Sequence, residues 1–369
     1  MSHDRGTLSS SPSVAAEIRS EETLAAVAHA LGAAQIAGMS RCERALGRGG
    51  SSSSQLIDRV RAEIATGDDP LGSAFCRLRT ARVRRTSGAI YTPWPIVESM
   101  LSWACRQAPP GRVIDPGAGS GRFLVAAGLR FPRAELLAVE VDPLAALLCR
   151  AHLAVRGFAD RCRVVVSDYR SARVVTGSAA GSALYIGNPP YVRHHQLEPR
   201  GKAWLVSTAA KYGLKASRLA GLHAHFFLAT VEHARDGDFG AFITSSEWLD
   251  VNYGKLIREL FLDRLGGLSL HLIEPTAQPF PDATTTAVIT CFRIGRPTSA
   301  VQIRRVARPE KLGSLGGGRA VPREHFAAAP RWTALVRGRR RVPRGYVELG
   351  ELCRVHRGQV TGANKFWIA

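Results

Sequence analysis

Acidic side chains are scarce in this 369-residue sequence. Its 30 Asp and Glu face 50 Lys and Arg, which gives a formal net charge of +20 and a pI near 10.6. This balance disfavours a cationic partner and favours a polyanion, most simply a nucleic acid. The alternative is that most of these charges are solvated surface side chains.

Paired cysteines and long apolar runs are also missing. The seven cysteines are an odd number, and no two of them have C-x-x-C spacing. Reduced thiols in a cytoplasmic protein are therefore expected rather than a disulfide scaffold. No apolar run reaches about 18 residues, and the N-terminus lacks the apolar core of a signal peptide, so neither a membrane contact nor export is expected.

Composition divides the sequence into three regions. Residues 1–84 are predicted to be a helical N-terminal extension with a Gly/Ser linker at 47–54, and the sequence assigns this extension no chemistry. Residues 85–298 alternate short apolar strands with helical segments. Residues 299–369 are rich in Gly and Arg and are predicted to be a basic linker followed by the start of a further region.

The alternation in the middle region predicts an α/β domain with a mostly parallel sheet. The predicted strands are Arg112–Ile114, Leu136–Glu140, Cys162–Ser167, Ala183–Gly187, Asp238–Thr244, Leu268–Ile273 and Thr284–Phe292. Ligands bind at the carboxyl ends of parallel strands, so the residues that follow these strands are the candidate site.

A glycine-rich turn follows the first strand. Gly117, Gly119 and Gly121 allow a sharp turn and a close approach of the backbone to a ligand. The spacing is neither that of a P-loop nor that of the G-x-G-x-x-G dinucleotide fingerprint. Asp115 before the turn suits a ligand with an amino group, and the following helix N-terminus suits a carboxylate. S-adenosylmethionine (SAM) carries both groups.

Two further carboxylates end the next strands. Glu140 ends the second strand, where a carboxylate can accept hydrogen bonds from ribose hydroxyls. Asp168 ends the third strand and could accept a hydrogen bond from an adenine amino group. Each could instead be a helix cap or a solvated loop residue. Acidic residues at successive strand ends favour a nucleoside-containing cofactor.

The fourth strand ends in Asn188-Pro189-Pro190-Tyr191. Taken alone, the two prolines indicate an ordinary turn. The tetrad resembles the catalytic motif of the gamma-arrangement adenine-N6 DNA methyltransferases, the TaqI-like and Eco57I-like enzymes. The resemblance implies a class I SAM-dependent methyltransferase (Rossmann-like) fold. It also implies that Asn188 and the Pro189 carbonyl accept the amino hydrogens of the target base, that Pro190 stiffens the motif, and that Tyr191 stacks on a flipped base.

Other segments resemble the same family in the same order. The segment 88–100 resembles the motif that precedes the glycine turn, which implies that Thr92 meets the methionine end of SAM. The segment 280–292 resembles the one whose phenylalanine, here Phe280, stacks on the flipped base. His223 and His225 lie on an apolar helical segment, which favours a structural role, and no metal is expected.

The resemblance implies methyl transfer from SAM to the N6 amino group of adenine in DNA, as part of a restriction-modification or related defence system. Enzymes that methylate glutamine in release factors or guanine in ribosomal RNA share the tetrad. A catalytically silent DNA-binding subunit is the remaining alternative. The segments around Thr92 and Phe280 favour the DNA adenine enzyme.

The run 346–369 resembles the opening of the target-recognition region in TaqI-like enzymes. About 25 residues cannot bury a core of their own. This resemblance implies a truncated recognition region, with specificity supplied by a missing C-terminal domain or by a specificity subunit. The expected partners are double-stranded DNA, such a subunit, and an accompanying restriction nuclease.

Overall fold

The computed structural model of the protein describes residues 13–80, 83, 90–174, 181–277, 279–280, 286–337, 345–347 and 349–354. Within these residues, nine strands form one sheet in the order β3-β2-β1-β4-β5-β7-β6-β8-β9. The strands are β1 (Arg112–Asp115), β2 (Glu135–Glu140), β3 (Cys162–Val166), β4 (Ala183–Gly187), β5 (Phe239–Ser245), β6 (Gly267–Ile273), β7 (Ala287–Arg293), β8 (Ala300–Val306) and β9 (Arg319–Pro322).

Strands β1 to β5 run parallel to one another, and β7 lies antiparallel between β5 and β6. Each strand predicted from the sequence has an observed counterpart among β1 to β7, although part of the last predicted strand, residues 284–285, lies outside the described residues. The parallel arrangement brings the carboxyl ends of β1 to β4 to one edge of the sheet, where a ligand site is expected.

The chain divides into two compact units, Met1–Val336 and Arg337–Ala369. The helices of the first unit are α1 (Val14–Glu17), α2 (Glu21–Ala30), α3 (Arg41–Ala45), α4 (Ser54–Thr66), α5 (Pro70–Leu78), α6 (Trp94–Ala104), α7 (Arg122–Arg130), α8 (Pro143–Val155), α9 (Pro199–Lys211), α10 (Leu222–His233), α11 (Lys255–Leu262) and α12 (Arg323–Ala328), with α13 (Thr333–Arg337) at its boundary. The described part of the second unit contains α14 (Leu349–Leu352). No helix in the described parts of the chain is long and apolar enough to cross a membrane.

Alternate residues of the central strands pack into two cores on opposite faces of the sheet. Val113 of β1 packs with α6 and α7, whereas its neighbour Ile114 packs with α10 and α11. The same alternation continues in β4, where Leu184 and Tyr185 face opposite sides. This two-sided burial explains why the strands are apolar runs and why helices cover both faces.

The N-terminal helices pack on α8 in a third core. Leu24 of α2 and Leu71 of α5 are fully buried there with Leu148 of α8. The segment 47–54, expected to be a linker, lies against α2, because a Cβ added at Gly50 would come within 2.4 Å of a backbone oxygen of that helix. The helices before residue 80 therefore belong to the first unit.

The structure corrects the expectation of a basic linker from residue 299. Strands β8 and β9 extend the sheet, and Val301, Ile303 and Val321 are buried in its core. Trp332 before α13 is buried in the same core. In β8 and β9 the arginines lie beside buried apolar residues, so these segments form strands of the sheet despite their positive charge.

Candidate functional site

A cavity of about 330 Å³ lies at the carboxyl ends of β1 to β4. Several residues predicted from the sequence line it, namely Thr92, Gly117, Gly119, Glu140, Asp168, Asn188 and Pro190. Other predicted residues are absent from its lining, namely Asp115, Gly121, Pro189, Tyr191 and Phe280. The structure thus brings most of the predicted strand-end residues together around one cavity. The other predicted residues lie outside the lining of that cavity.

The glycine turn between β1 and α7 uses its glycines in different ways. Gly119 and Gly121 have φ of 54° and 95°, in the left-handed region that favours glycine. A Cβ at Gly121 would also approach the Cys149 sulfur to 2.9 Å. A Cβ at Gly117 would meet its nearest neighbours only at van der Waals distances of 3.6 Å or more. The lack of a side chain at this position therefore mainly leaves space in the cavity.

Glu140 holds the turn as well as lining the cavity. Its Oε2 accepts a hydrogen bond from the Gly119 N–H at 2.8 Å. Its Oε1 accepts from the N–H groups of Val141 and Asp142 at 2.8 and 3.0 Å. Burial raises the pKa of the carboxyl, while these backbone hydrogen bonds oppose the rise. A carboxylate has about four lone-pair sites, so Glu140 retains acceptor capacity toward a ligand.

Asp168 is engaged by an arginine that the sequence reasoning did not single out. The Arg170 Nε donates to both carboxylate oxygens at 2.9 Å, and its Nη2 also donates to Oδ2. Burial acts to raise the pKa of Asp168, but the hydrogen bonds from Arg170 prevail and lower it. Asp168 is therefore an oriented carboxylate, and Arg170 also lines the cavity.

The Asn188 amide has a fixed orientation. Its Nδ2 donates to the Ile90 carbonyl at 3.1 Å and to the Thr92 Oγ1 at 3.0 Å. Because the Ile90 carbonyl can only accept, the amide atom facing it is the nitrogen and the other is Oδ1. This Oδ1 is buried and has no hydrogen-bond partner among the residues that the structure describes. A buried acceptor without a partner costs free energy unless a ligand supplies a donor.

Asp115 lies behind the glycine turn rather than in the cavity. The side chain is fully buried, and Oδ1 accepts a hydrogen bond from the Gly117 N–H at 3.3 Å. Burial raises the pKa of this carboxyl to about 8, and the nearby charge of Glu140 adds to the rise. Its first role in the structure is therefore to support the turn.

This pKa predicts a pH-dependent stability. An aspartate in an unfolded chain titrates near about 3.9, so the folded protein retains a proton that the unfolded chain releases. The contribution of Asp115 to stability is complete below that pH and is lost as the pH rises through about 8. The loss is roughly 1.4 kcal/mol per pH unit within this window.

We expect Asp115→Asn, which cannot ionise, to melt at a higher temperature than the parent above about pH 6, with a difference that grows toward about pH 8. Thermal melts across this range measure the difference. Asp263→Asn is the control for loss of a carboxylate at the surface, because the Asp263 side chain is 76% exposed. A pH-independent difference for Asp115→Asn would contradict the assignment.

Tyr191 and Phe280 pack edge to face, with ring centroids 5.8 Å apart and an interplanar angle of 72°. Phe280 is 1% exposed and lies in the core. The Tyr191 Oη is buried and has no hydrogen-bond partner in the described ranges, and burial raises the pKa of its hydroxyl. Residues 281–285 of the same motif lie outside the described residues, as do residues 88–89 and 355–369.

Residues that sequence reasoning left without a role complete the site. Arg122, Phe75 and Tyr91 line the cavity with the predicted residues. Asp69 of the N-terminal helices accepts hydrogen bonds from Ser120 and Arg122 in the glycine turn. No local signal could have found these pairs, because their partners lie about 50 residues apart in sequence.

The histidines of α10 are buried. Burial lowers the pKa of His223 to about 4 and that of His225 to about 3, so both are neutral near pH 7. The His225 ring stacks on Trp204 with centroids 5.8 Å apart. Across the described residues, no three His, Cys, Asp or Glu side chains form a cluster that could hold a metal ion.

Comparison with known proteins identifies the family. The family model of the Eco57I restriction-modification methylases matches residues 183–268. The type II methyltransferase M.XamI of Xanthomonas campestris pv. amaranthicola is 53% identical over 301 residues, which cover 82% of this chain and 55% of that protein. The chain belongs to the restriction-modification methylase family. M.AccI of Acinetobacter calcoaceticus is 23% identical over 232 residues, which cover 63% of this chain and 41% of that protein.

The chain spans about half the length of these curated relatives. Among solved structures, a protein from Listeria monocytogenes assigned to the class I SAM-dependent methyltransferases superimposes with a TM-score of 0.54 at 12% identity. The match covers 79% of this chain and 86% of that protein. The fold of this methylase family member is thus the class I SAM-dependent methyltransferase fold, as the sequence predicts.

Proposed function

We propose that the protein transfers a methyl group from SAM to the N6 amino group of adenine in DNA, as the modification activity of a restriction-modification system. The observation that carries this proposal is the oriented Asn188 amide beside the cavity, whose buried Oδ1 lacks a partner within the described part of the chain. Membership of the methylase family supports it.

The residues around the cavity fit SAM. Glu140 has acceptor capacity for ribose hydroxyls, and Asp168 offers an oriented carboxylate toward the base. The N-terminus of α7 after Gly121 suits the carboxylate of an amino acid, and Phe226 adds apolar surface to the cavity. SAM supplies an electrophilic methyl group on a sulfonium centre.

The chain's own groups would prepare the target nitrogen. An adenine amino group is a poor nucleophile because its lone pair is delocalised into the ring. Asn188 Oδ1 and the Pro189 carbonyl would each accept one amino hydrogen and so favour a pyramidal nitrogen with a localised lone pair. The prolines at 189 and 190 restrict the backbone, which keeps these acceptors preorganised.

The proposed polymer partner is double-stranded DNA. The net charge of +20 favours phosphate contacts, which give affinity without sequence preference and weaken steeply with salt. A base inside a duplex cannot reach a buried amide, so the adenine would be flipped out and stacked on Tyr191. A recognition region or specificity subunit and a restriction nuclease are the proposed protein partners.

One experiment tests the proposal against its alternatives. The protein is incubated with methyl-labelled SAM and separately with double-stranded DNA, transfer RNA, ribosomal RNA and a release factor. We expect label in DNA, recovered as N6-methyladenine after digestion. Label in RNA or in a glutamine side chain would replace the proposed substrate, and SAM binding without any transfer would favour a catalytically silent subunit.

Stacking on the flipped base gives a further prediction. Tyr191→Ala and Phe280→Ala should each reduce the fluorescence increase of 2-aminopurine placed at the methylated position, because base–aromatic stacking contributes about 1–3 kcal/mol per base. Phe280→Ala should also lower stability by about 3–5 kcal/mol, since this side chain is fully buried.

Phe326→Ala is the matched control for the loss of stability. Phe326 is also 1% exposed but packs against Trp332, in the core on the other face of the sheet. It should lower the melting temperature and leave the fluorescence response unchanged. If Phe280→Ala also lowers the melting temperature without changing the fluorescence response, Phe280 packs only in the core and does not stack on the flipped base.

A further inference from the structure

Asp69 joins the N-terminal helices to the glycine turn. It caps α5, where its Oδ1 accepts from the Gly72 N–H at 2.7 Å. Its Oδ2 accepts from the Ser120 Oγ at 2.7 Å and from the Arg122 Nε at 2.6 Å. The His152 Nε2 lies 3.1 Å from Oδ1. The Asp69 side chain is 4% exposed, so these contacts are shielded from water.

Arg122 carries the connection toward the catalytic motif. Its Nη1 donates to the Thr92 carbonyl at 2.9 Å, and its guanidinium lies over the Tyr91 ring at 5.3 Å. The Thr92 hydroxyl in turn accepts from the Asn188 Nδ2 at 3.0 Å. A chain of direct contacts therefore runs from Asp69 through Arg122 and Thr92 to Asn188.

The charge of Asp69 is essential to this network. Burial alone would raise the pKa of Asp69, but His152 and Arg122 beside it hold this pKa well below its usual range. The side chain is therefore an anion that accepts charge-assisted hydrogen bonds, which are stronger than neutral ones. The same helix α5 supplies Phe75, which lines the cavity and is 3% exposed.

We propose that Asp69 is a positioning residue, which holds the glycine turn through Ser120 and Arg122 and the Thr92 segment through Arg122. The N-terminal helices thereby form part of the cofactor site. This inference rests on the proposed function in assigning the cavity to SAM. It gives the N-terminal region a role that the sequence did not reveal.

The test is Asp69→Asn, which keeps the shape of the side chain and removes its charge. In the protein without ligand, we expect at least tenfold faster hydrogen exchange of backbone amides in the turn 117–122 and near Thr92. By calorimetry, we expect the dissociation constants of SAM and of S-adenosylhomocysteine to rise at least tenfold. All measurements are made well below the melting temperature of each variant.

Glu43→Gln is the matched control. Glu43 is a fully buried acid that also ties the N-terminal helices to α8, through Arg150, but neither residue lines the cavity. This variant should lose stability and keep both the affinity for SAM and the exchange rates of the turn. If it weakens SAM binding as much as Asp69→Asn does, general loosening explains the effect and the inference fails.

Ser120→Ala serves as a second variant should Asp69→Asn not fold. It removes one hydrogen bond to Asp69 and leaves the pair with Arg122, so a smaller acceleration of exchange, about threefold, is expected in the same turn. Unchanged exchange in Asp69→Asn, or in Ser120→Ala where that variant must replace it, would overturn the positioning role. A parent protein that binds no SAM would overturn the proposed function instead, since exchange in the unliganded turn is measured independently of SAM.

Discussion

Asn188→Ala should reduce methyl transfer by roughly 10²–10³-fold or more while SAM affinity stays nearly unchanged, as for loss of one preorganised group at a reacting centre. In the proposed mechanism the lost acceptor acts on the adenine amino group in the transition state, so kcat should fall and binding of SAM should not. Single-turnover methylation with labelled SAM and calorimetry separate the two quantities.

The contacts of the amide refine this expectation. Asn188→Asp keeps an acceptor at Oδ1 but places a carboxylate oxygen, in place of the donor Nδ2, against the Ile90 carbonyl. It should therefore retain more activity than alanine and less than the parent. Thr92→Val removes the hydroxyl that holds Nδ2 and should cause a smaller loss, because the Ile90 carbonyl still orients the amide.

Asn252→Ala is the matched control for Asn188→Ala. Asn252 is exposed and lies outside the cavity at the strand ends, so its removal should leave methylation unchanged. An Asn188→Ala variant that keeps more than about a tenth of parental activity would contradict the catalytic assignment. A variant that loses SAM affinity in proportion to activity would make Asn188 a binding residue.

The central sheet was predictable because its strands are short apolar runs bounded by turns. Topology then determines the position of the strand-end residues, since parallel strands direct their carboxyl ends to one edge. This is why Glu140, Asp168 and Asn188, which are well separated in sequence, line one cavity. Their individual roles remain predictions, because the geometry brings them together without a ligand.

Strand β8 escaped prediction because its pattern mixes apolar residues with arginines. Val301 and Ile303 are buried, while Arg304 donates to the carbonyls of Leu312 and Gly316 at 2.8 and 2.9 Å. Through these hydrogen bonds Arg304 stabilises the loop that follows β8, so it is more than a solvated surface charge. A composition-based argument counts it only as positive charge, and so it predicts a basic linker.

Contacts between distant parts of the chain explain what else was missed. Asp69 and Ser120 are 51 residues apart, and nothing in either local sequence indicates the other. Arg170 differs, because it binds Asp168 only two residues away, at the end of β3. An arginine two residues after a strand-end acid is visible in the local sequence, and it indicates an ion pair between the two side chains. It changes the prediction for Asp168, whose contact with an adenine amino group would compete with Arg170.

A large loss of stability is also expected at Glu43, whose pair with Arg150 is fully buried on both sides. The Arg150 Nε donates to Glu43 Oε1 at 2.5 Å. Other N–H groups of the guanidinium donate to the carbonyls of Ile36, Ala37 and Val164 at 2.8, 3.0 and 2.7 Å. One side chain of α8 thus ties the N-terminal helices to β3.

Glu43→Gln should destabilise the protein by about 3–5 kcal/mol, because removing one partner leaves the other charge buried and uncompensated. For a unit of this size the melting temperature should fall by roughly 4–7 °C. Differential scanning calorimetry measures both quantities. The change leaves the shape of the side chain intact, so the loss reports on charge rather than on packing.

Glu21→Gln provides the comparison that makes the result interpretable. Glu21 at the start of α2 pairs with Arg79 at the end of α5, within the N-terminal helices, and its side chain is 43% exposed. Solvent screens such a pair, and its loss should cost less than about 1 kcal/mol. Similar melting temperatures for the two variants would show that burial does not strengthen the Glu43 pair.

A large difference between the melting temperatures of the two variants, with a single cooperative transition for each, would mean that the N-terminal helices and the sheet unfold together. The network at Asp69 could then hold the glycine turn from a support as stable as the sheet itself.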